Sequence, residues 1–234
     1  MRFYYDLHIH TVLSPCADVL MTPHNIFNMA TLKGLDIIAI TDHNSAKQLP
    51  ICEEIAQSYD LLFVPGIEVE VQEGFHVLIY FKSVNEAMRF DQILEPFIDK
   101  KEIDLSIYNE QSLTNINDET IETIPHLLTA PTQLSFRELL NILNESFEYV
   151  IGYAHLDRTK HSGLVYCHQY ELNFVEVTKH VSESFIDHHY LDRYPIMMNS
   201  DAHQIMDISE KNIHNYIELN ELNIDSLFRY FHHG

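Results

Sequence analysis

Five short segments place imidazole or carboxylate side chains where apolar runs stop. Asp6-Leu7-His8-Ile9-His10 closes a run over 3–7. Thr41-Asp42-His43-Asn44 follows 36–40, and Pro65-Gly66-Ile67-Glu68 follows 61–64. Ala154-His155 ends the run over 149–153, and Ser200-Asp201-Ala202-His203 follows 196–198. Residues i and i+2 of a strand share a face, so His8 and His10 project together. Neutral imidazole is the commonest metal ligand, and mixed imidazole–carboxylate ligation suits divalent transition metals. Several strands delivering such residues to one rim is no core pattern, because a buried cluster of charges is costly without a metal or close pairing. The chemistry that follows is metal-assisted hydrolysis, in which bound cations bring the pKa of water toward neutrality and clamp developing negative charge.

The elements that position these residues alternate. Runs rich in β-branched and aromatic residues fall at 3–7, 36–40, 61–64, 77–81, 149–153, 174–177 and 196–198, with helical segments between most of them. Thr22-Pro23 opens one helix, which Gly34 stops; Ser135-Phe-Arg-Glu138 has the form of a capping box. Strands alternating with helices imply a parallel sheet, and about seven units in one domain spanning 1–234 imply an α/β barrel. In such architectures function gathers beyond the carboxyl ends of the strands. Residues 100–133 break the rhythm. They are polar, with Asn115-Ile-Asn-Asp118 as a turn, and read as a hairpin or loop excursion on the barrel.

Composition narrows the function. The six glycines are too far apart for G-x-G-x-x-G, a P-loop or a G-x-S-x-G elbow. A net charge of −21, with 35 acidic against 14 basic residues, disfavours long nucleic acid and anionic membranes as partners. No signal-peptide pattern opens the chain and its apolar runs are too short to span a bilayer, so the cytoplasm is the expected compartment. Cys16, Cys52 and Cys167 are odd in number and scattered, and read as free thiols.

The set Asp6-Leu-His8-Ile-His10-Thr11, Thr41-Asp42-His43-Asn44, Gly66-Ile-Glu68, His155 and Asn199-Ser-Asp201-Ala-His203 resembles the PHP (polymerase and histidinol phosphatase) family over essentially the whole chain. It looks most like the short, stand-alone phosphoesterases of that family. The resemblance implies a distorted (β/α)7 barrel with three divalent metal ions, Mn, Fe or Zn. The implied ligands are His8, His10, Asp18, His43, Glu68, His76, His155, Asp201 and His203, with Cys16 as a substitute for Asp18. One metal would sit at His8, His10, Glu68 and Asp201, a second at Glu68, His76 and His155, and a third at Asp18, His43 and His203.

The implied activity is hydrolysis of a small phosphate ester by a metal-bound hydroxide, with Glu68 and Asp201 at the reaction centre. Arg158, three residues past His155, is a candidate phosphate clamp because guanidinium recognises phosphate bidentately. His180, after 174–177, is a candidate to touch substrate or protonate the leaving alkoxide. Asp42 is expected to orient a ligand rather than bind metal, and His161 reads as a surface residue. Candidate substrates are histidinol phosphate, a 3′,5′-bisphosphonucleotide or an oligonucleotide end. The alternatives are an exonuclease, an amidohydrolase-type enzyme acting on C–N bonds, and a non-catalytic metal-binding module.

Overall fold

Strand β1 (Arg2–Ile9) is buried on both faces over most of its length, as a strand between two cores must be. In the computed structural model, which describes residues 1–233, it is followed by β2 (Ile37–Ile40), β3 (Leu62–Glu70) and β4 (His76–Phe81). A separate two-stranded sheet pairs β5 (Ser112–Thr114) with β6 (Thr120–Thr123). Then come β7 (Tyr149–Tyr153), β8 (Phe174–Glu176), β9 (Ile196–Met197) and β10 (Tyr216–Glu218). The main sheet runs in the order β10-β1-β2-β3-β4-β7-β8-β9. Backbone pairing of Ile9 with Ala202 brings the chain beyond β9 back against β1 and curls the sheet toward a barrel.

Each of the seven expected runs contains a strand, and β10 adds an eighth, antiparallel to β1. The sheet is mixed rather than parallel, because β3–β4 and β4–β7 are also antiparallel. The cause is local. Strand β3 runs on past Gly66 to Glu70, and Gly74, at φ +80°, turns the chain directly back into β4. That connection is too short for the helical crossover a parallel pair requires.

Helices α1 (Pro23–Leu32), α2 (Leu49–Ala56), α3 (Val84–Leu94) and α4 (Phe136–Ser146) carry the outer layer, with α5 (Glu183–His188) and α6 (Ile224–His233) following. Ser135 and Glu138 form the capping box of α4 in both directions. Thr22 makes no side-chain cap for α1; its hydroxyl donates to Asp118 instead, tying the β5–β6 turn to that helix start.

Strand periodicity sorts the apolar residues into two cores. Tyr5, Leu7, Ala39, Val64, Tyr80 and Phe174 pack with Leu227, Phe228 and Phe231 of α6. Ile38, Ile40, Ile67, Val69 and Ile79 pack with Ile26, Phe27, Leu49 and Phe90 of the outer helices. No helix among the described residues is long and apolar enough to cross a membrane.

Candidate metal centre

His8 and His10 leave the end of β1 with their Nε2 atoms 3.1 Å apart, each 3.1 Å from Asp201 Oδ1. Glu68 lies between them and the other strand ends. Its Oε1 is 3.4 Å from His8 Nε2, 2.7 Å from His76 Nδ1 and 3.2 Å from His155 Nε2. Its Oε2 is 3.3 Å from His10 Nε2 and 3.0 Å from His43 Nδ1. The His203 ring stacks on His10 with centroids 4.2 Å apart. Ligand atoms gather in four overlapping groups: His8, His10, Glu68 and Asp201; His43, Glu68 and His76; His10, His43 and His203; and Glu70, His76 and His161.

The turns that aim these side chains are sharp. Asn44, His155 and Asp201 all have positive φ, at 48°, 33° and 52°. Non-glycine residues in that region cost of order 1–3 kcal/mol each, and such strain concentrates where side-chain direction matters.

The outer nitrogens fix the inner ones. His8 Nδ1 lies 3.0 Å from Glu176 Oε1, which also accepts from Asn199 Nδ2 at 2.8 Å. His10 Nδ1 lies 3.0 Å from Ser14 Oγ, and that hydroxyl donates to Asp42 Oδ1, so the ring must be the donor. With Nδ1 engaged behind each ring, Nε2 of His8 and of His10 is left to face Asp201 and Glu68, and once it gives up its proton its lone pair is aimed as a cation requires. His43 Nδ1, Glu68 Oε2 and His155 Nδ1 are buried with no hydrogen-bond partner; the 3.0 Å approach of His43 to Glu68 is not aligned as a hydrogen bond. Orphaned nitrogen and carboxylate oxygen atoms in one buried cluster fit divalent cations.

The titrations follow from the packing. Burial drives His43 down to about 4 and His203 to about 3, so both are neutral at pH 7. Burial also disfavours protonated His76, but Glu68 and Glu70 outweigh it and raise the ring to about 10. Burial would raise Glu68, yet the imidazoles of His76, His8 and His43 hold it well below the usual carboxylate range. Asp201 is likewise held low by His8 and His10 against the effect of burial.

Three candidates are placed differently from expectation. Asp18 is outside the ligand groups: its Oδ1 accepts from Leu20 N at 2.9 Å, closing its own turn. Cys16, two residues earlier and exposed, lines the pocket instead. His180 is exposed and away from the pocket wall, because Asp157 holds Thr178 and the chain turns outward after it. His161, read as a surface residue, lines the pocket with its Nδ1 3.1 Å from Glu70 Oε1. Arg158 also lines it, with Nη1 2.5 Å from Asp201 Oδ2.

Sequence reasoning missed Glu70 and Glu176. Glu70 Oε2 lies 3.2 Å from His76 Nε2, and the two residues face each other in the β3–β4 register. The signal for Glu70 was its i+2 spacing from Glu68. The signal for Glu176 was an isolated carboxylate inside an apolar run.

The PHP domain family model matches residues 6–221. The 5′-3′ exoribonuclease Rnm of Salmonella typhimurium is 39% identical over 86 residues, covering 36% of this chain and 28% of that protein. The lesion-specific endonuclease Q of Pyrococcus furiosus superposes over 100% of this chain and 57% of its own, with a TM-score of 0.70 and 20% identity. An endonuclease Q complex with a 27-mer duplex superposes over 99% of this chain, with a TM-score of 0.66 and 20% identity. The chain spans less than half the length of the curated relatives it matches. These likenesses overturn the expectation, drawn from the net charge, that long nucleic acid is disfavoured as a partner. A total of −21 averages over the whole surface, whereas binding responds to the field at the pocket, whose lining includes Arg158 and Lys160.

Proposed function

The chain belongs to the PHP domain family, and on that premise we propose that it is a metal-dependent nuclease that hydrolyses phosphodiester bonds of a nucleic acid. The observation that carries this reading is the convergence of His8 and His10 Nε2 on Asp201 and Glu68, with both outer nitrogens engaged behind them. His8, His10, Glu68 and Asp201 would hold one cation, and Glu68, His76 and His155 a second. His43 and His203 would hold a third, with Cys16 rather than Asp18 on the pocket side. Divalent cations there supply Lewis acidity toward phosphoryl oxygens and activate water near neutral pH.

The protein's own part is positioning. Glu68 and Asp201 stay ionised in a buried site because imidazoles surround them. Glu176 and Ser14 fix the tautomers of His8 and His10. Arg158, with its side chain 43% exposed at the pocket wall, can leave Asp201 to grip a phosphate oxygen. The likeness to Rnm favours nucleic acid over a small ester as substrate.

The test is incubation of Mn-, Fe- or Zn-loaded protein with end-labelled single-stranded and duplex RNA and DNA, with His10→Ala as control. Stepwise shortening or internal cleavage by the parent and none by the variant supports the reading. Turnover of phosphomonoesters alone would return the assignment to a small-molecule phosphatase.

A further inference from the structure

Resting on the nuclease reading, we propose that the segment between α3 and α4 builds a binding site for a single nucleobase, with Tyr108 as its stacking surface. The pocket over the metal centre has a volume of about 380 Å³, and two of its lining residues, Tyr108 and Thr129, come from this segment. Of the lining residues only Tyr108 carries a carbocyclic aromatic ring, and it is half-buried.

Its position is built. Tyr108 N–H donates to Asp104 O at 3.0 Å. The next residue is anchored twice to the loop that carries Cys16: Asn109 N–H donates to Pro15 O at 2.9 Å and Asn109 Nδ2 to Ala17 O at 2.8 Å. These bonds fix the backbone that carries the ring, so little backbone freedom is lost when a ligand stacks on it. Thr129 lines the same pocket, and its Oγ1 is buried with no hydrogen-bond partner, so a small side-chain rotation offers a polar base edge a free hydroxyl.

Base stacking is a sequence-tolerant source of affinity. Arg158 and Lys160 can hold the phosphate of the one nucleotide inside, while Tyr108 holds its base. The cavity lies at the low end of small-molecule sites, roughly 300–1,000 Å³, and does not admit a stacked duplex. A nucleotide enters it from a single strand, from an end, or after leaving the helix.

The experiment compares calorimetric binding of adenosine 5′-monophosphate and ribose 5-phosphate to the metal-loaded protein. The parent should bind the nucleotide about tenfold or more tightly, from the stacking expected of one base. Tyr108→Ala should abolish that difference and leave ribose 5-phosphate unchanged, and Tyr108→Phe should preserve it. Equal binding of the two ligands by the parent, or equal weakening of both in Tyr108→Ala, would overturn the proposal. A clear base preference in a protein that cuts no oligonucleotide would refute the nuclease reading and sustain the base site.

Discussion

Glu176 presents Oε1 to His8 Nδ1 at 3.0 Å, on the edge of the ring opposite the Nε2 that faces Asp201 and Glu68. The same carboxylate accepts from His155 N–H at 2.8 Å and from Asn199 Nδ2 at 2.8 Å. One side chain of β8 therefore orients an imidazole of β1, sets the backbone of His155 and ties down the segment that leads to Asp201. Glu176→Gln should lower metal affinity by about 10–100-fold, the usual effect of removing a carboxylate behind a ligating histidine. Chelator competition measured by elemental analysis checks this. Unchanged retention would mean that Glu176 serves packing alone.

Metal loading should release protons unequally from the histidines. In the metal-free protein His76 titrates near 10, so at pH 7 it carries a proton that a cation must displace. His43, near 4, has none to give. Potentiometric titration at pH 7 should show about one proton fewer released by His76→Gln than by the parent, and no such loss for His43→Gln. The same shift bears on stability. A histidine raised above its unfolded value of roughly 6.5 contributes fully below that pH, and the contribution fades as pH rises toward 10. Denaturant unfolding of the stripped parent and His76→Gln should therefore differ most below pH 6.5 and converge in alkali.

Much of the centre was legible because its residues sit where apolar runs break off. His8 and Glu68 sit near the ends of β1 and β3, and His10, His43, His155, Asp201 and His203 follow a strand; the structure gathers all of them. What was hidden depends on register and on loop path. Glu70 reads as an ordinary end of β3 until the hairpin sets it opposite His76. His161 lies in a coil segment, and its backbone carbonyl, accepting from His76 N–H at 3.0 Å, and its Nδ1, 3.1 Å from Glu70 Oε1, bring it in. Asp18 and Cys16 are both plausible ligands in sequence; the Asp18 carboxylate closes its own turn, while Cys16 lines the pocket. The parallel sheet failed for a related reason, since composition does not reveal that β3 continues past Pro65 and Gly66.

Gly152 couples the interior core to the site. A Cβ there would stand 2.3 Å from Phe174 Cε2. The Phe174 ring has no room to retreat, because it stacks on Tyr80 at 5.6 Å with planes 10° apart. Tyr80 in turn donates its hydroxyl to Leu7 O at 2.7 Å, next to His8. Gly152→Ala should destabilise the protein by about 1–3 kcal/mol, the range for overpacking a filled core. Chemical denaturation measures it, and a loss below 0.5 kcal/mol, the ordinary scatter of harmless substitutions, would show that the ring shifts freely.

Asn44 joins the metal centre to the wall that carries Thr129. Its N–H donates to Glu68 O at 2.8 Å, and its Oδ1 accepts from Glu70 N–H at 3.0 Å. Its Nδ2 donates to Leu128 O at 2.7 Å and Ala130 O at 3.0 Å, the carbonyls on either side of Thr129. Asn44→Asp separates the two halves of this junction. An ionised carboxylate still accepts from Glu70 but has no hydrogen to give, and it faces two carbonyl oxygens at hydrogen-bond distance. Each buried carbonyl left without a donor costs about 1–3 kcal/mol, and that cost falls on the 98–134 segment rather than on β3. Asn44→Asp should therefore raise amide exchange across that segment and weaken substrate binding, while metal content stays near that of the parent. Exchange measured by mass spectrometry beside elemental analysis distinguishes the outcomes. Loss of metal in step with loss of protection would show that the segment holds the centre together instead of shaping what enters it.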